Sequence, residues 1–349
     1  MEDSLDYFAE RYQREHEPSV TQSTISPAVA STASATPALA DSEEERAYLE
    51  LLREIIAEGD TEIGRNGATK CLFGRTLRFS LDGGKIPIIT TKKTAWKTCL
   101  RELLWFIRGD TNVAVLQKQG VHIWDGNSSR EYLDSRGLGH YPEGIIGPQY
   151  GYQWRYFGAN YNPYTASRIL RQPRAGEPEG VGDKSAQYTG IDQLAQVIDA
   201  LRSPEGRKSR RIIMTTWNPA QLDQMALPPC HVMCQFRVTQ GNRLSCCLFQ
   251  RSCDVPVGSP FNIASYSFLT HLLAAHCGLV AHEFVYFMGD CHVYEQHISA
   301  VEEQISRAPL GAPTVKIARV RDKIEDYCVE DFVVEGYASH PAIRMPMVV

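Results

Sequence analysis

Two runs of alternating apolar and polar residues, 231–239 and 243–251, flank Gln240-Gly241-Asn242. A period of two sends successive side chains to opposite faces of a sheet, and a short glycine-containing break between two such runs makes a β-hairpin. Directly ahead of the hairpin stands Leu227-Pro228-Pro229-Cys230-His231. The two prolines fix the backbone and deny it a helical approach, so Cys230 sits at the start of a strand after a rigid turn, where it can be presented into a cavity. A purely structural cysteine is the competing reading of that motif taken alone. The hairpin also returns the chain, so Arg251 of Gln250-Arg251-Ser252-Cys253-Asp254 can lie near Cys230. A guanidinium beside a thiol favours the thiolate, the nucleophilic form. A solvated charge at a strand end is the alternative for Arg251.

The remaining patterning predicts an α+β chain with one domain from about residue 42. Ser42-x-x-Glu45 reads as a capping box, followed by Leu49, Leu52, Ile55 and Ile56 at helical spacing and a stop at Gly59. Residues 77–91 read as strand, turn (Asp82-Gly83-Gly84) and strand, and 95–108 as a largely buried helix. Ile191, Leu194, Ile198 and Leu201 mark another helix, 211–217 a strand, and Asn218-Pro219 a helix start. Asn262 opens a mostly apolar helix to Cys277, followed by a strand (283–288), a helix (295–307) and a strand (313–320).

Two segments stand apart. Residues 21–40 carry no charge, and eight of them are Ser or Thr, six Ala and two Pro. Such a segment buries too little to offset its ordering entropy, so 1–41 is expected to be a disordered extension. The Asn-, Pro- and Gly-rich stretch 158–189 reads as a surface insertion.

Composition narrows the function. At 43% hydrophobic and 22% charged the chain can build a core, and its net charge of −5 makes it a poor general binder of nucleic acid or anionic membrane. Any phosphate site must then be a local cluster of Arg and Lys. No apolar run approaches the roughly 18 residues of a spanning helix. The ten cysteines form no Cys-x-x-Cys pair, so no metal site is expected, and most lie in apolar runs, as small hydrophobes in a reducing compartment do. Residues 1–20, with six acids and no apolar core, do not resemble a secretory or mitochondrial leader. A cytoplasmic location is expected, with the nucleus as a second possibility.

Further residues could carry chemistry. Arg210 and Arg211 on a strand point to opposite faces, so one could grip a phosphate. Glu102, between Cys99 and Phe106 on its helix, is either solvent-facing or buried with a raised pKa and poised for proton transfer. Asn262 is an N-cap or, with one acceptor and two donors, a reader of O4 and N3–H of a uracil ring. His292 and Tyr294 share a strand face, where they could bind a sugar hydroxyl or satisfy each other.

These motifs, with Pro260-Phe261-Asn262-Ile263-Ala264-Ser265-Tyr266 and Glu335-Gly336-Tyr337-Ala338-Ser339-His340-Pro341, closely resemble thymidylate synthase in family order over nearly all of 42–349. The resemblance implies stacked β-sheets with surrounding helices and an obligate homodimer joined through a sheet face. It implies reductive methylation of dUMP to dTMP, with 5,10-methylenetetrahydrofolate giving both the carbon and the hydride and leaving as dihydrofolate. The Cys230 thiolate would add to C6 of uracil and make C5 nucleophilic. Glu102 would organise water and proton transfers, and Tyr150 would stand near the C5 proton. The catalytic set is then Cys230, Glu102, Tyr150, Arg251, Asp254 and Asn262.

By the same likeness, Arg65, Arg251 and Ser252 hold the phosphate with Arg210 and Arg211 of the other subunit. Asn262 and Asp254 read the base, His292 and Tyr294 the ribose, and His231 and Gln250 complete the dUMP contacts. Reduced folate would meet Ile123, Trp124, Asn127, Leu227, Asp254, Val257, Gly258 and Phe261, with Lys92 near its glutamate tail and Val349 closing over it.

The chain departs from the family pattern in places. Arg65-Asn66-Gly67-Ala68 replaces Arg-Thr-Gly-Thr, and Gly144-Ile145-Ile146-Gly147-Pro148-Gln149-Tyr150-Gly151 replaces Gly-Asp-Leu-Gly-Pro-Val-Tyr-Gly, losing an acid. Asn127 stands where bacterial members have a second tryptophan, as in eukaryotic members. The length leaves no room for a dihydrofolate reductase domain, which suggests a monofunctional enzyme. A pyrimidine hydroxymethylase is the nearest enzyme alternative, although its cytosine-specific kind carries Asp where Asn262 stands. An RNA-binding regulator is the alternative of another class, and secondary RNA binding is compatible with the main reading.

Overall fold

The computed structural model describes residues 42–64, 66–166 and 190–348. The segments 1–41 and 167–189, and with them the expected N-terminal extension and most of the insertion, lie outside the described residues. So do Arg65 and Val349.

Helix α1 (Glu43–Glu58) leads into β1 (Asp60–Gly64) and the long β2 (Gly67–Ser80). Helices α2 (Trp96–Ile107), α3 (Gly151–Tyr156) and α4 (Gln193–Arg202) come next. Then follow β3 (Ile213–Thr215), β4 (His231–Thr239), β5 (Arg243–Asp254), α5 (Ser259–His276) and β6 (Val280–Tyr294). Helix α6 (Ile298–Ile305), β7 (Thr314–Ile317) and β8 (Phe332–Glu335) close the chain. Short helical turns connect several of these.

Six strands form one mixed sheet in the order β1-β2-β6-β5-β4-β3. The β5–β6 pair is parallel and every other pair antiparallel. A parallel pair needs a crossover, and α5 supplies it. That helix is buried nearly all round, as its uniformly apolar sequence requires, and it packs on β5, β6 and α2. The inner sheet face buries Phe236, Leu244, Leu248, Phe284 and Tyr286 beneath it. β7 and β8 make a separate two-stranded ribbon. The architecture is α+β, but the described residues of one chain hold a single large sheet and a ribbon, not stacked sheets.

The predicted hairpin is present with its turn at Gln240–Asn242, and β5 runs three residues further than the alternation showed, to Asp254. Half of the capping box holds: Ser42 Oγ accepts from the Glu45 N–H at 3.2 Å. The Glu45 carboxylate turns away to take the N–H groups of Thr90 (2.9 Å) and Thr91 (2.7 Å) and the Thr90 hydroxyl (2.7 Å). The expected strand after Asp82-Gly83-Gly84 is therefore absent: residues 86–91 turn at Ile86–Ile88, and their buried backbone is satisfied piecemeal, by Pro313 O at Ile86 and by the Glu45 carboxylate at Thr90 and Thr91, in place of a ladder. Helix α5 begins at Ser259, so Asn262 lies inside its first turn and does not cap it. The 211–217 strand shrinks to three residues, and the 295–307 helix divides into a 3₁₀ turn, Glu295–His297, and α6.

Candidate active site

The Pro228-Pro229-Cys230 turn is clamped from the hairpin's far strand. Arg251 donates its backbone N–H to the Cys230 carbonyl (2.9 Å), Nε to Pro229 O (3.0 Å) and Nη2 to Pro228 O (2.9 Å). Its guanidinium also lies 5.5 Å from the centre of the Trp217 ring, a favourable cation–π distance. Arg251 thus builds the turn that presents the thiol. Burial nonetheless pushes the Cys230 thiol above its ordinary range, and Arg251 and the Tyr150 hydroxyl only partly pull it back. The expectation that the guanidinium favours the thiolate is right in direction, but desolvation outweighs it.

Tyr150 approaches from the other side, its hydroxyl accepting from the Cys230 N–H at 3.0 Å. Its backbone has φ 31° and ψ −94°, a left-handed conformation costly for a residue with a side chain. The ring is held against Phe106, Trp124 and His231 at centroid distances of 4.9, 5.9 and 5.1 Å. Burial raises the phenol well above its ordinary pKa, so it stays protonated. Behind it, Trp124 Nε1 donates to Glu102 Oε1 at 2.7 Å. Glu102 is half-buried, its carboxyl turned inward to Trp124, which favours the second of the two readings: desolvation lifts its carboxyl to about 7, against the lowering effect of that bond.

A second network orients Asn262. Its Oδ1 accepts from Gln250 Nε2 at 3.1 Å, and its Nδ2 lies 2.7 Å from His231 Nε2. Burial drops His231 to about 3, so the imidazole is neutral. The network assigns Nε2 as the acceptor of the Asn262 amide and Nδ1–H to the Tyr266 hydroxyl at 3.4 Å. Gln250 also gives Nε2 to Ser252 O (2.9 Å), and its Oε1 accepts from Tyr286 at 2.8 Å. Each amide atom of Asn262 keeps one unused hydrogen-bonding position, one donor and one acceptor.

Asp254 ends β5, its Oδ1 accepting from the Val257 N–H at 3.2 Å. A Cβ at Gly258 would stand 3.7 Å from Asp254 Cβ and 3.8 Å from Asn262 Oδ1, so the glycine keeps the space between these two side chains open. Burial raises the Asp254 carboxyl. Lys92 lies nearby and is itself buried, its ammonium donating to Pro256 O and reaching Met345 Sδ at 3.5 Å. Burial lowers it to about 8, with Asp254 opposing. His292 and Tyr294 do meet, ring edge to face at 5.4 Å, and His292 Nδ1 lies 2.7 Å from Asp290 Oδ1.

The structure therefore joins Cys230, Tyr150, Arg251, Trp124 and Glu102 into one chain, and His231, Gln250, Ser252 and Asn262 into another. Asp254, Lys92, Val257, Gly258, His292 and Tyr294 flank them. Ile123 and Phe261 pack half-buried on the core, while Leu227 and Asn127 are half-buried. Arg210 and Arg211 are not brought in: both are exposed just before the edge strand β3. Trp217, Tyr286 and a buried amide network were not read from sequence. In that network Gln153 Nε2 donates to Pro148 O (2.7 Å) and Gln221 Oε1 (2.9 Å), and Asn218 Nδ2 donates to the same Gln221 oxygen (2.9 Å). It fixes the turn before Tyr150, and no periodicity signals it.

Comparison with known proteins decides the family. The profile of the family described as thymidylate synthase matches residues 46–349. The chain belongs to the thymidylate synthase family. It is 46% identical over 308 residues to a thymidylate synthase of Ascaris suum, covering 88% of this chain and 98% of that protein. It is 46% identical over 313 residues to a bifunctional dihydrofolate reductase-thymidylate synthase of Zea mays and 44% over 308 residues to one of Leishmania major, in each case 88% of this chain and 55% of the relative. The chain thus spans about half the length of these bifunctional thymidylate synthase relatives. Among the described residues no helix is long and apolar enough to cross a membrane, and no cluster of His, Cys, Asp or Glu could hold a metal ion.

Proposed function

We propose that this thymidylate synthase family member converts dUMP to dTMP, with 5,10-methylenetetrahydrofolate as one-carbon and hydride donor. The observation that carries this reading is the orientation of Asn262. Gln250 and a neutral His231 leave it one free donor and one free acceptor, which complement O4 and N3–H of uracil. Cys230 adds through sulfur to C6, and the electron pair of the C5–C6 double bond moves toward C5 and O4. C5 then bonds to the methylene carbon, the C5 proton leaves, tetrahydrofolate is expelled, and hydride transfer with loss of the sulfur gives dTMP and dihydrofolate. A Glu102 carboxyl titrating near neutrality suits these proton transfers. Protonated Tyr150 supports the position next to the departing C5 proton. Asp254, Ser252, His292 and Tyr294 complete the nucleotide contacts in this reading, with Arg65 from outside the described residues. Reduced folate occupies the side of Lys92, Ile123, Trp124, Asn127, Leu227, Asp254, Val257, Gly258 and Phe261, with Val349 closing it.

A homodimer through the outer sheet face belongs to the same reading. Met233, Phe249, Phe287 and Thr76 are register partners across β4, β5, β6 and β2, and Phe249 and Phe287 remain 43% and 40% exposed. Such a row suits burial against a second copy, which would also stack two sheets and carry Arg210 and Arg211 toward the partner's phosphate. One catalytic domain over 42–349 and a cytoplasmic setting are in keeping with ten free cysteines.

Purified protein should release tritium from [5-³H]dUMP and form dihydrofolate only with methylenetetrahydrofolate present. Cys230→Ser should lose nearly all turnover while staying a folded dimer by sedimentation. Tritium release without dihydrofolate would instead indicate a hydroxymethylase. No turnover by a folded wild-type dimer would overturn the enzyme reading in favour of RNA binding, tested by footprinting.

A further inference from the structure

His297 ends the turn Glu295–His297 with its side chain 1% exposed, yet neither ring nitrogen has a hydrogen-bond partner among the described residues. Seven residues further along the same helical run is Gln304, also fully buried. Its Nε2 donates to Thr91 Oγ1 at 3.1 Å, but its Oε1 has no partner. His297 is the residue before α6 and Gln304 lies two turns along it, both turned to the buried side, so three unsatisfied polar atoms sit on the inward side of this element. Buried polar groups are almost always paired, and an orphan requires an explanation.

That face borders the wall carrying Asp254. Asp254 is the register partner of His292, and the Val255 N–H donates to His292 O at 3.0 Å. The His292 ring meets Tyr294 at 5.4 Å, and Tyr294 meets His297 at 6.0 Å, edge to face. From the other side, the Tyr48 hydroxyl donates to Val255 O at 3.1 Å and neighbours both the Gln304 amide and the Asp254 carboxyl. Among the described residues the Asp254 carboxyl has one hydrogen bond, from the Val257 N–H at 3.2 Å. Its carboxyl is raised by burial and pulled back by Val257, His292 and His297, so the imidazole is near enough to act on it.

We propose that His297 is a positioning residue for Asp254, acting through ordered water lodged between its ring nitrogens, the Gln304 amide oxygen and the Asp254 carboxyl. An internal water needs two to four polar partners, and this wall supplies them. The imidazole N–H donates to water, water donates to Gln304 Oε1 and to the carboxylate, and Asp254 is thereby fixed in one rotamer. The inference rests on the reading that Asp254 meets the reduced folate. Loss of the relay then weakens folate more than dUMP, because Ser252, Asn262, His292 and Tyr294 still hold the nucleotide.

The test uses the full-length protein and the variants His297→Phe, His297→Gln and Gln304→Met. Both KM values, kcat and Tm are measured, and a high-resolution crystal structure of the wild type is determined. His297→Phe should raise the KM for methylenetetrahydrofolate about ten-fold, well beyond any rise in that for dUMP, without lowering Tm, because it removes unpaired polar atoms; Gln304→Met should raise the same KM and lower Tm somewhat, because it also breaks the bond to Thr91 Oγ1. His297→Gln, which keeps a donor and an acceptor, should restore part of the loss. A wild-type folate KM in His297→Phe, or a fall in Tm with both KM values raised together, overturns the proposal. If His297→Phe does not fold, Gln304→Met decides by the same readout. If the wild type does not turn over, the enzyme reading fails, and the crystal decides this inference by itself: water bonded to both His297 and Gln304 upholds the relay, and a dry contact refutes it.

Discussion

The Cys230–Asn262 side of the site and the Asp254–Lys92 side are built on opposite plans. On the first, nearly every polar atom has an assigned partner: Arg251 ties three carbonyls, Tyr150 the Cys230 N–H, and His231, Gln250 and Tyr286 fix one another and Asn262. On the second, a carboxyl and an ammonium are both shifted toward neutrality by burial, each has few direct bonds, and two neighbouring side chains hold orphaned atoms. A fully bonded network is preorganised for a transition state, whereas a sparsely bonded buried charge carries a desolvation cost that a ligand or water can relieve. Substitutions on the two sides should therefore differ in kind. The first set should cost rate above all, and the second should leave rate less affected and show in folate binding or in stability and its pH dependence.

The largest effect should come from Glu102→Gln. A carboxamide cannot exchange the proton, so kcat should fall about 10²- to 10⁴-fold, measured by dihydrofolate formation at saturating substrates. Stability should move the other way. The folded carboxyl holds its proton up to about 7 and the unfolded one only to 4.5, so between those values the folded chain binds more protons. Stability is then greatest below pH 4.5 and is lost as pH rises through 7. Glu102→Gln should raise Tm at pH 8 and leave it unchanged at pH 4. A variant that loses both rate and stability at pH 8 would remove Glu102 from the preorganised side.

Lys92→Met probes the other side. The Lys92 ammonium titrates near 8 in the fold against 10.5 in the open chain. Below pH 8 both states carry the proton and the fold bears the burial cost, on the order of 3 kcal/mol. Between 8 and 10.5 the unfolded chain binds more protons, so wild-type stability rises with pH. Lys92→Met should be more stable than wild type at pH 7, less its lost bond to Pro256, and the gap should close by pH 10.5 in urea titrations. A gap that does not vary with pH would mean that Lys92 keeps its ordinary pKa in the fold, and that burial does not shift it.

The two sides also differed in how far the sequence revealed them. The hairpin, the Pro-Pro-Cys turn and the approach of Arg251 followed from alternation and proline geometry, because they are local. Glu102 remained open because a half-apolar helix face does not say what covers it; the answer is Trp124, 22 residues away. The segment 86–91 misled because a short apolar run reads as a strand whether a neighbouring strand satisfies its backbone or a turn and a carboxylate such as Glu45 do. The net rise of the Cys230 pKa was hidden for a related reason: a motif shows the neighbouring charge but not the depth of burial. Tyr150 was found by resemblance alone, since its strained backbone and its bond to Cys230 leave no periodic trace.

The smallest effect tests whether the preorganised side carries a flaw of its own. Gln149, beside Tyr150, is 1% exposed, and neither its Oε1 nor its Nε2 has a partner among the described residues. It stands where the family pattern has valine. Leaving a buried amide unpaired costs about 1–3 kcal/mol, and replacing it with an apolar group recovers that cost where the shape is accommodated. Valine is smaller, so the cavity it leaves offsets part of the gain. Gln149→Val should therefore stabilise the chain by about 1 kcal/mol in urea unfolding, with kcat unchanged, because the Tyr150 backbone is held by the Phe106, Trp124 and His231 rings and not by the amide. A loss of both stability and kcat would show instead that Gln149 belongs to the bonded network around Tyr150, and the contrast between the two sides would then be sharper than the hydrogen bonds alone indicate.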